Sequence, residues 1–279
     1  GGAVPYFDQM ATVTGALDAM AELSYHRYGG VSDENLQTID QRRQTYDLGT
    51  AMLEHIGSGH QDLHDDLTLA NCSSWQQYTL AGLTTSDNGG AYMLVDETDP
   101  ADPVVTLGSR TKLLRQYFHY VRPGAVRVDA GCDEDGYHPT AFVNPGGDHV
   151  VVVSADSAGT INVDGLPAAR YGITYTTASS YDVALSSQNL ANGDSITASM
   201  PGAGVMTIYE IRRAPVFDAY PPDPEVEVYE DSTTSFYVTP VNYDRSELTF
   251  QWSLDGTTVP GAETTNYDHY ADFNSSGSH

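Results

Sequence analysis

The feature that most constrains this chain is a change of hydrophobic period at Arg122-Pro123-Gly124. Upstream, apolar residues recur at helical spacing in segments separated by short apolar runs. Downstream, the runs alternate at period two between glycine-rich turns. Proline removes an amide donor and glycine takes the left-handed backbone, so the pair stops a helix sharply. The upstream part predicts helices at 6–21, 35–47, 62–71 and 108–121. In the first of these, Phe7, Met10, Val13, Ala16, Leu17 and Met20 share a face. Strands are predicted at 22–30, 50–56 and 73–82, and 84–103 reads as a long polar loop around the apolar run 91–95. Helix and strand alternating at this spacing imply a parallel sheet with right-handed crossovers.

Downstream, predicted strands at 125–130, 140–144, 149–155, 160–163, 171–177, 195–200 and 205–212 make a β-sandwich. A proline-rich linker opens at Ala214-Pro215 and runs through Pro224. Strands at 226–229, 235–239 and 248–254 follow, and the chain runs out in a polar tail at 274–279. Within Phe250–Gly256, Trp252 resembles the core tryptophan of an immunoglobulin-like module, although the segment is shorter than the ~100 residues of that fold. The fold class is therefore α/β plus all-β, divided at 1–122, 123–213 and 214–279.

Charge narrows the partners. The 38 acidic residues against 12 Lys and Arg give a formal charge of -26, and Lys112 is the only lysine. That field repels nucleic acid and anionic membranes and suits a surface that stays soluble in concentrated salt. No apolar run approaches the ~20 residues of a membrane span. The two cysteines, Cys72 and Cys132, lack zinc-knuckle spacing; outside the cell they could form a disulfide, and otherwise they are free thiols.

The chemistry concentrates on Thr50–Gly57, a short apolar run that ends in Glu54 and His55. In a parallel α/β barrel, catalytic groups sit at strand ends, which makes Glu54 a candidate catalytic carboxylate. His60 and His64 are four apart beside Asp65 and Asp66, but no glutamate follows the first histidine as in a zinc protease, and no metal is expected. The acidic runs 96–99 and 133–135 lack a complete calcium-loop pattern and read as solvated turns. Gly57-Ser58-Gly59 lacks the frame of a nucleophile elbow, and no phosphate-binding glycine loop follows a strand, so no cofactor is expected.

Four motifs together resemble the C-terminal part of clan A glycoside hydrolases of the family 30 and family 39 type. Ser24-Tyr25-His26-Arg27-Tyr28 resembles the sixth barrel strand, Met52-Leu53-Glu54-His55 the seventh and Ser74-Trp75-Gln76-Gln77-Tyr78 the eighth. The run 114–125, ending in Tyr120-Val121-Arg122-Pro123-Gly124-Ala125, resembles the last helix entering the appended β-sandwich. The resemblance covers roughly 1–213 and implies the last three βα units of a (β/α)8 barrel, a sandwich, and then the partial immunoglobulin-like module.

It also implies a secreted, retaining hydrolase acting on an oligo- or polysaccharide. Glu54 falls on the nucleophile position. Tyr25 or Tyr28 would donate a hydrogen bond to it, His26 and His55 would line the sugar pocket, Trp75 would stack on a sugar face, and Gln76 or Gln77 would reach hydroxyls. The acid/base glutamate would belong to the fourth strand, upstream of Gly1, on the same or another chain. The alternative is a non-catalytic carbohydrate-binding or cell-surface structural protein built on the same fold.

Overall fold

The computed structural model describes residues 2–211, 216–220, 231–241 and 249–271, with backbone alone for 216–220, 240, 241 and 271. The chain divides into two compact units, Gly1–Glu210 and Ile211–His279. In the first, α1 (Ala3–Ala11) is followed by a 3-10 turn at Leu17–Ala19, then β1 (Glu22–His26), α2 (Asp33–Tyr46), β2 (Gly49–Glu54), α3 (His60–Thr68) and β3 (Ser74–Trp75). Strands β1, β2 and β3 form one sheet in that order, and both pairings are parallel. Ser32 caps α2 by accepting from the Asn35 amide, and Asp47 ends it with a left-handed backbone. The Asp62 carboxylate accepts from the Gly59 amide at 2.9 Å and closes the start of α3. Phe7, Leu23, Leu36, Ile39, Leu48 and Met52 are buried together beneath the sheet.

The first predicted helix ends early. α1 stops at Ala11, and Gly15 at φ 79° turns the chain before the 3-10 segment. Helical spacing in the sequence persists past that break, but the backbone does not follow it. The predicted strand at 73–82 is two strands in different sheets: β3, and β4 (Thr79–Leu83). The chain leaves the parallel sheet at Gln77, whose amide donates to the Tyr92 hydroxyl and whose side-chain amide donates to the Ser58 carbonyl. The predicted loop at 84–103 holds β5 (Ala91–Asp96), and β6 (Val104–Leu107) follows it. β4 and β5 are parallel while β5 and β6 are antiparallel, so these three strands make a small mixed sheet.

Helix α4 (Ser109–Phe118) leads into β7 (Val126–Val128), β8 (Tyr137–Val143), β9 (His149–Ala155), β10 (Gly159–Val163), β11 (Arg170–Thr177), β12 (Val183–Asn189), β13 (Ile196–Met200) and β14 (Gly204–Glu210). Six of these form a sheet in the order β12-β11-β14-β9-β8-β7, and β10 pairs with β13 as a separate ribbon. Strand β12 was not expected from the sequence; it is a half-exposed edge whose alternation is masked by Ser186, Ser187 and Gln188.

Every residue of β9 after His149 is buried, because both faces of the sheet are covered. Val151, Val153, Ile173, Met206 and Ile208 pack with Ile161, Ile196, Ala198 and Met200 of the ribbon. On the sheet's other face lies α4. Gln116, fully buried, donates from Nε2 to Thr176 Oγ1 at 3.0 Å and accepts from the Thr174 hydroxyl at 3.0 Å, while its carbonyl accepts from the Thr207 hydroxyl at 2.7 Å. Gly124, at φ 85°, makes the turn from α4 into β7. Cys72 is buried and Cys132 exposed, and both are free thiols.

The second unit contains β15 (Val216–Tyr220), β16 (Ser232–Val241) and β19 (Asn266–Ala271) in one antiparallel sheet, separated in sequence by the short hairpin β17 (Ser253–Leu254) and β18 (Thr257–Thr258). Trp252 precedes the hairpin, is half-buried, stacks on Tyr267 at 5.7 Å and donates its indole N–H to the Thr264 carbonyl. Asp255 and Gly256, both at positive φ, supply the turn. The expected strand at 226–229, most of the linker and the tail at 274–279 lie outside the described residues.

Gln116 generates the first prediction. Gln116→Ala removes the side-chain partner of the buried Thr174 and Thr176 hydroxyls and leaves a cavity, so denaturant unfolding should show a loss of about 2–4 kcal/mol. An unchanged unfolding midpoint would contradict this account of how α4 is held.

Candidate active site

Parallel pairing brings the ends of β1, β2 and β3 to one edge. The register sets His26 opposite Glu54 and Trp75 opposite Met52. Glu54 is the last residue of β2, with its side chain one-third exposed (33%) and its Oε1 4.0 Å from His26 Nδ1. Partial desolvation, followed by the neighbouring Glu54 carboxylate, pushes the Tyr28 phenol above its ordinary range, while the Ile56 backbone opposes it. The Tyr28 ring lies 5.1 Å from the His55 ring and 6.0 Å from that of His26. Glu54, His26, Tyr28 and His55 thus come together as one constellation.

Tyr25 is placed differently from expectation. Side chains alternate across a strand, so the residue between Ser24 and His26 faces away from theirs. Tyr25 is 3% exposed and donates its hydroxyl to Asp66 Oδ1 at 2.8 Å, leaving Tyr28 as the phenol that neighbours Glu54. Trp75 is half-buried, and its indole N–H donates to Asp66 Oδ2 at 2.8 Å. Gln76 is exposed just past the end of β3, whereas Gln77 is buried.

Two residues escaped the sequence reading. Tyr78 is 55% exposed and bears electrostatically on Tyr28, so it adds a second phenol on the open side of the constellation. Its signal was the spacing Trp75-Gln76-Gln77-Tyr78, in which the inward tryptophan leaves the later aromatic free. Asp66, fully buried on α3, accepts from Tyr25, from Trp75 and from Arg27 Nη1 at 2.7 Å. Arg27 also reaches Asp62 at 2.9 Å. Burial drives the Asp66 carboxyl upward, opposed by the Arg27 charge and the bonds from Tyr25, Trp75 and Arg27. Nothing in the local sequence marks this role, because Tyr25 on β1 and Arg27 just past its end lie 41 and 39 positions away.

Among the described residues no group of three or more His, Cys, Asp or Glu side chains is arranged to hold a metal. No described helix is long and apolar enough to cross a membrane.

With the geometry in place, likenesses to other proteins can be stated. No family model matches the chain. Over 170 residues, 51% of this chain, it is 28% identical to the Caenorhabditis elegans protein named "Putative glucosylceramidase 1" and spans 32% of that protein. Its fold is similar to that of a GH30 endoxylanase from Clostridium papyrosolvens C71, with a TM-score of 0.58 and 21% identity over 73% of this chain and 52% of that one. It is equally similar to the catalytic domain of GH30 xylanase C from Talaromyces cellulolyticus, with a TM-score of 0.58 and 18% identity over 75% of this chain and 49% of that one. The chain therefore spans about a third of the curated relative and about half of each solved structure. The mixed α/β architecture is of the GH30 type.

The segment that joins β2 to α3 is bracketed by His55 and His60. Burial pushes both below histidine's ordinary range, and Asp62 opposes it in each. Arg27 and Arg110 lower His55 further; His138 and His64 lower His60 further, while Asp156 opposes. Folded-state values below the unfolded value of about 6.5 mean that the folded protein binds fewer protons. The stability contributed is present above about pH 6.5 and is lost as pH falls from there through the folded values. Thermal melts should therefore drop between about pH 7 and about pH 5, and His60→Asn should flatten the drop. A parallel decline in the variant would contradict this assignment.

Proposed function

We propose that this chain is part of a secreted, retaining glycoside hydrolase that acts on a β-linked polysaccharide, with Glu54 as its nucleophile. The observation that carries the reading is Glu54 at the C-terminal end of a parallel strand, opposite His26 in register and beside the ring cluster of His26, Tyr28 and His55. In such a reaction the carboxylate attacks the anomeric carbon as the glycosidic bond to the leaving oxygen breaks. A second carboxyl group, about 5–5.5 Å away, protonates that oxygen and then deprotonates the water that releases the sugar. The proton donor is assigned to a strand that these 279 residues do not hold.

Tyr28 offers a phenol beside the Glu54 carboxylate, and the two groups bear on one another electrostatically. Tyr78 and Gln76, both exposed, offer an aromatic face and an amide to the sugar, with Trp75 supporting them from the partly buried side. Secretion belongs to the same proposal, because a polymeric substrate cannot reach an enzyme behind a membrane. The xylanases of like fold and the relative named as a glucosylceramidase support the substrate class.

The test is Glu54→Gln in the longest natural polypeptide that contains this sequence, assayed on xylan and on glucosylceramide. Hydrolysis should fall by more than about a thousandfold while binding of the sugar persists. Hydrolysis at the parent rate would overturn the assignment.

A further inference from the structure

We infer that Asp66 is a positioning residue for the Glu54 site, an inference that rests on the reading of Glu54 given above. Asp66 sits on α3, the helix that directly follows the Glu54 strand, yet its bonds go to the strands on either side of it. From β1 it receives the Tyr25 hydroxyl, one residue before His26, which is Glu54's register partner. Arg27, one residue after His26, donates to the same oxygen. From β3, Trp75 donates to the other oxygen, and Trp75 is the register partner of Met52, two residues before Glu54. Both carboxylate oxygens are thus committed, one to each flanking strand, at the level of the reacting group.

Asp66 and Trp75 also end the sheet. Strand β3 has only two paired residues, flanked by bonds from the Ser73 amide to the Thr50 carbonyl and from the Gln76 amide to the Met52 carbonyl. The following segment carries Gln76 and Tyr78 and is anchored at Gln77 by Tyr92 and Ser58. The indole bond to a fully buried carboxylate adds a restraint at the start of that segment, on the strand itself. The residue acts through Trp75, Arg27 and Tyr25 and does not itself reach a substrate.

Three variants test this in the longest natural chain, with xylan as substrate. Asp66→Asn replaces the acceptor. Trp75→Phe keeps a ring and removes only the indole donor, and Tyr25→Phe removes only the hydroxyl. Measured well below each melting temperature, Asp66→Asn and Trp75→Phe should lower kcat between about tenfold and a hundredfold with KM little changed. Their double variant should lose no more than Asp66→Asn alone, because both remove one bond.

The Trp75 indole N–H resonance, assigned by its loss in Trp75→Phe, should move in Asp66→Asn. If Asp66→Asn does not fold, the two milder variants carry the test. Melting temperatures that fall while kcat stays at the parent value in every folded variant would overturn the positioning role. If Glu54→Gln hydrolyses xylan normally, the reading of Glu54 fails instead. If Glu54→Gln is inactive and the other variants are not impaired in kcat, only the role of Asp66 fails.

Discussion

A carboxylate excluded from water must be compensated by donors held in place around it, or it destabilises the fold that buries it. Asp66 meets that requirement with three donors from two strands, and Arg27 among them supplies a full positive charge shared with Asp62. The requirement works in both directions. The donors neutralise the cost of burying Asp66, and Asp66 fixes where the donors can be. Because Tyr25 and Arg27 flank His26 in sequence, fixing them fixes the face on which His26 meets Glu54. The arrangement on the open side of the sheet thus depends on polar bonds on its closed side.

The second structural constraint is the six-stranded sheet covered on both faces. The ribbon covers one face with aliphatic side chains, which need only shape. α4 covers the other with a polar seam in which Gln116 and three threonines satisfy one another. Hydroxyls in that seam specify the rotation of α4 about its axis more narrowly than methyl groups would, since each bond has a direction. Leu114 and Tyr117 are buried from the same helix, and Tyr120 from the turn after it. The parallel strands and the six-stranded sheet accordingly belong to one compact unit.

Much of this was legible in the sequence where one period or one punctuation signal governs. β9 falls where predicted, while α4 ends at Phe118, three residues short of the predicted Val121, and Glu54 ends its strand because a short apolar run gives way to polar residues and Gly57. Reading failed where long-range partners decide. The early end of α1 is set by Gly15, which a helical pattern through Met20 conceals. The break within 73–82 depends on Tyr92 and Ser58 capturing Gln77, residues from other segments. Strand β12 carries too little apolar alternation to announce itself. At the site, the inward facing of Tyr25 follows from strand alternation once β1 is placed, whereas Asp66 is specified only by tertiary contacts.

A nucleophilic Glu54 would bond covalently to a sugar during turnover. A xylan-derived substrate carrying fluorine at the 2-position of the reacting sugar and an activated leaving group would trap that species, because fluorine slows its hydrolysis more than its formation. Digestion and peptide mass spectrometry of the longest natural chain would locate the adduct. The account predicts one sugar on Glu54 and its absence in Glu54→Gln. An adduct on a different carboxylate would contradict it.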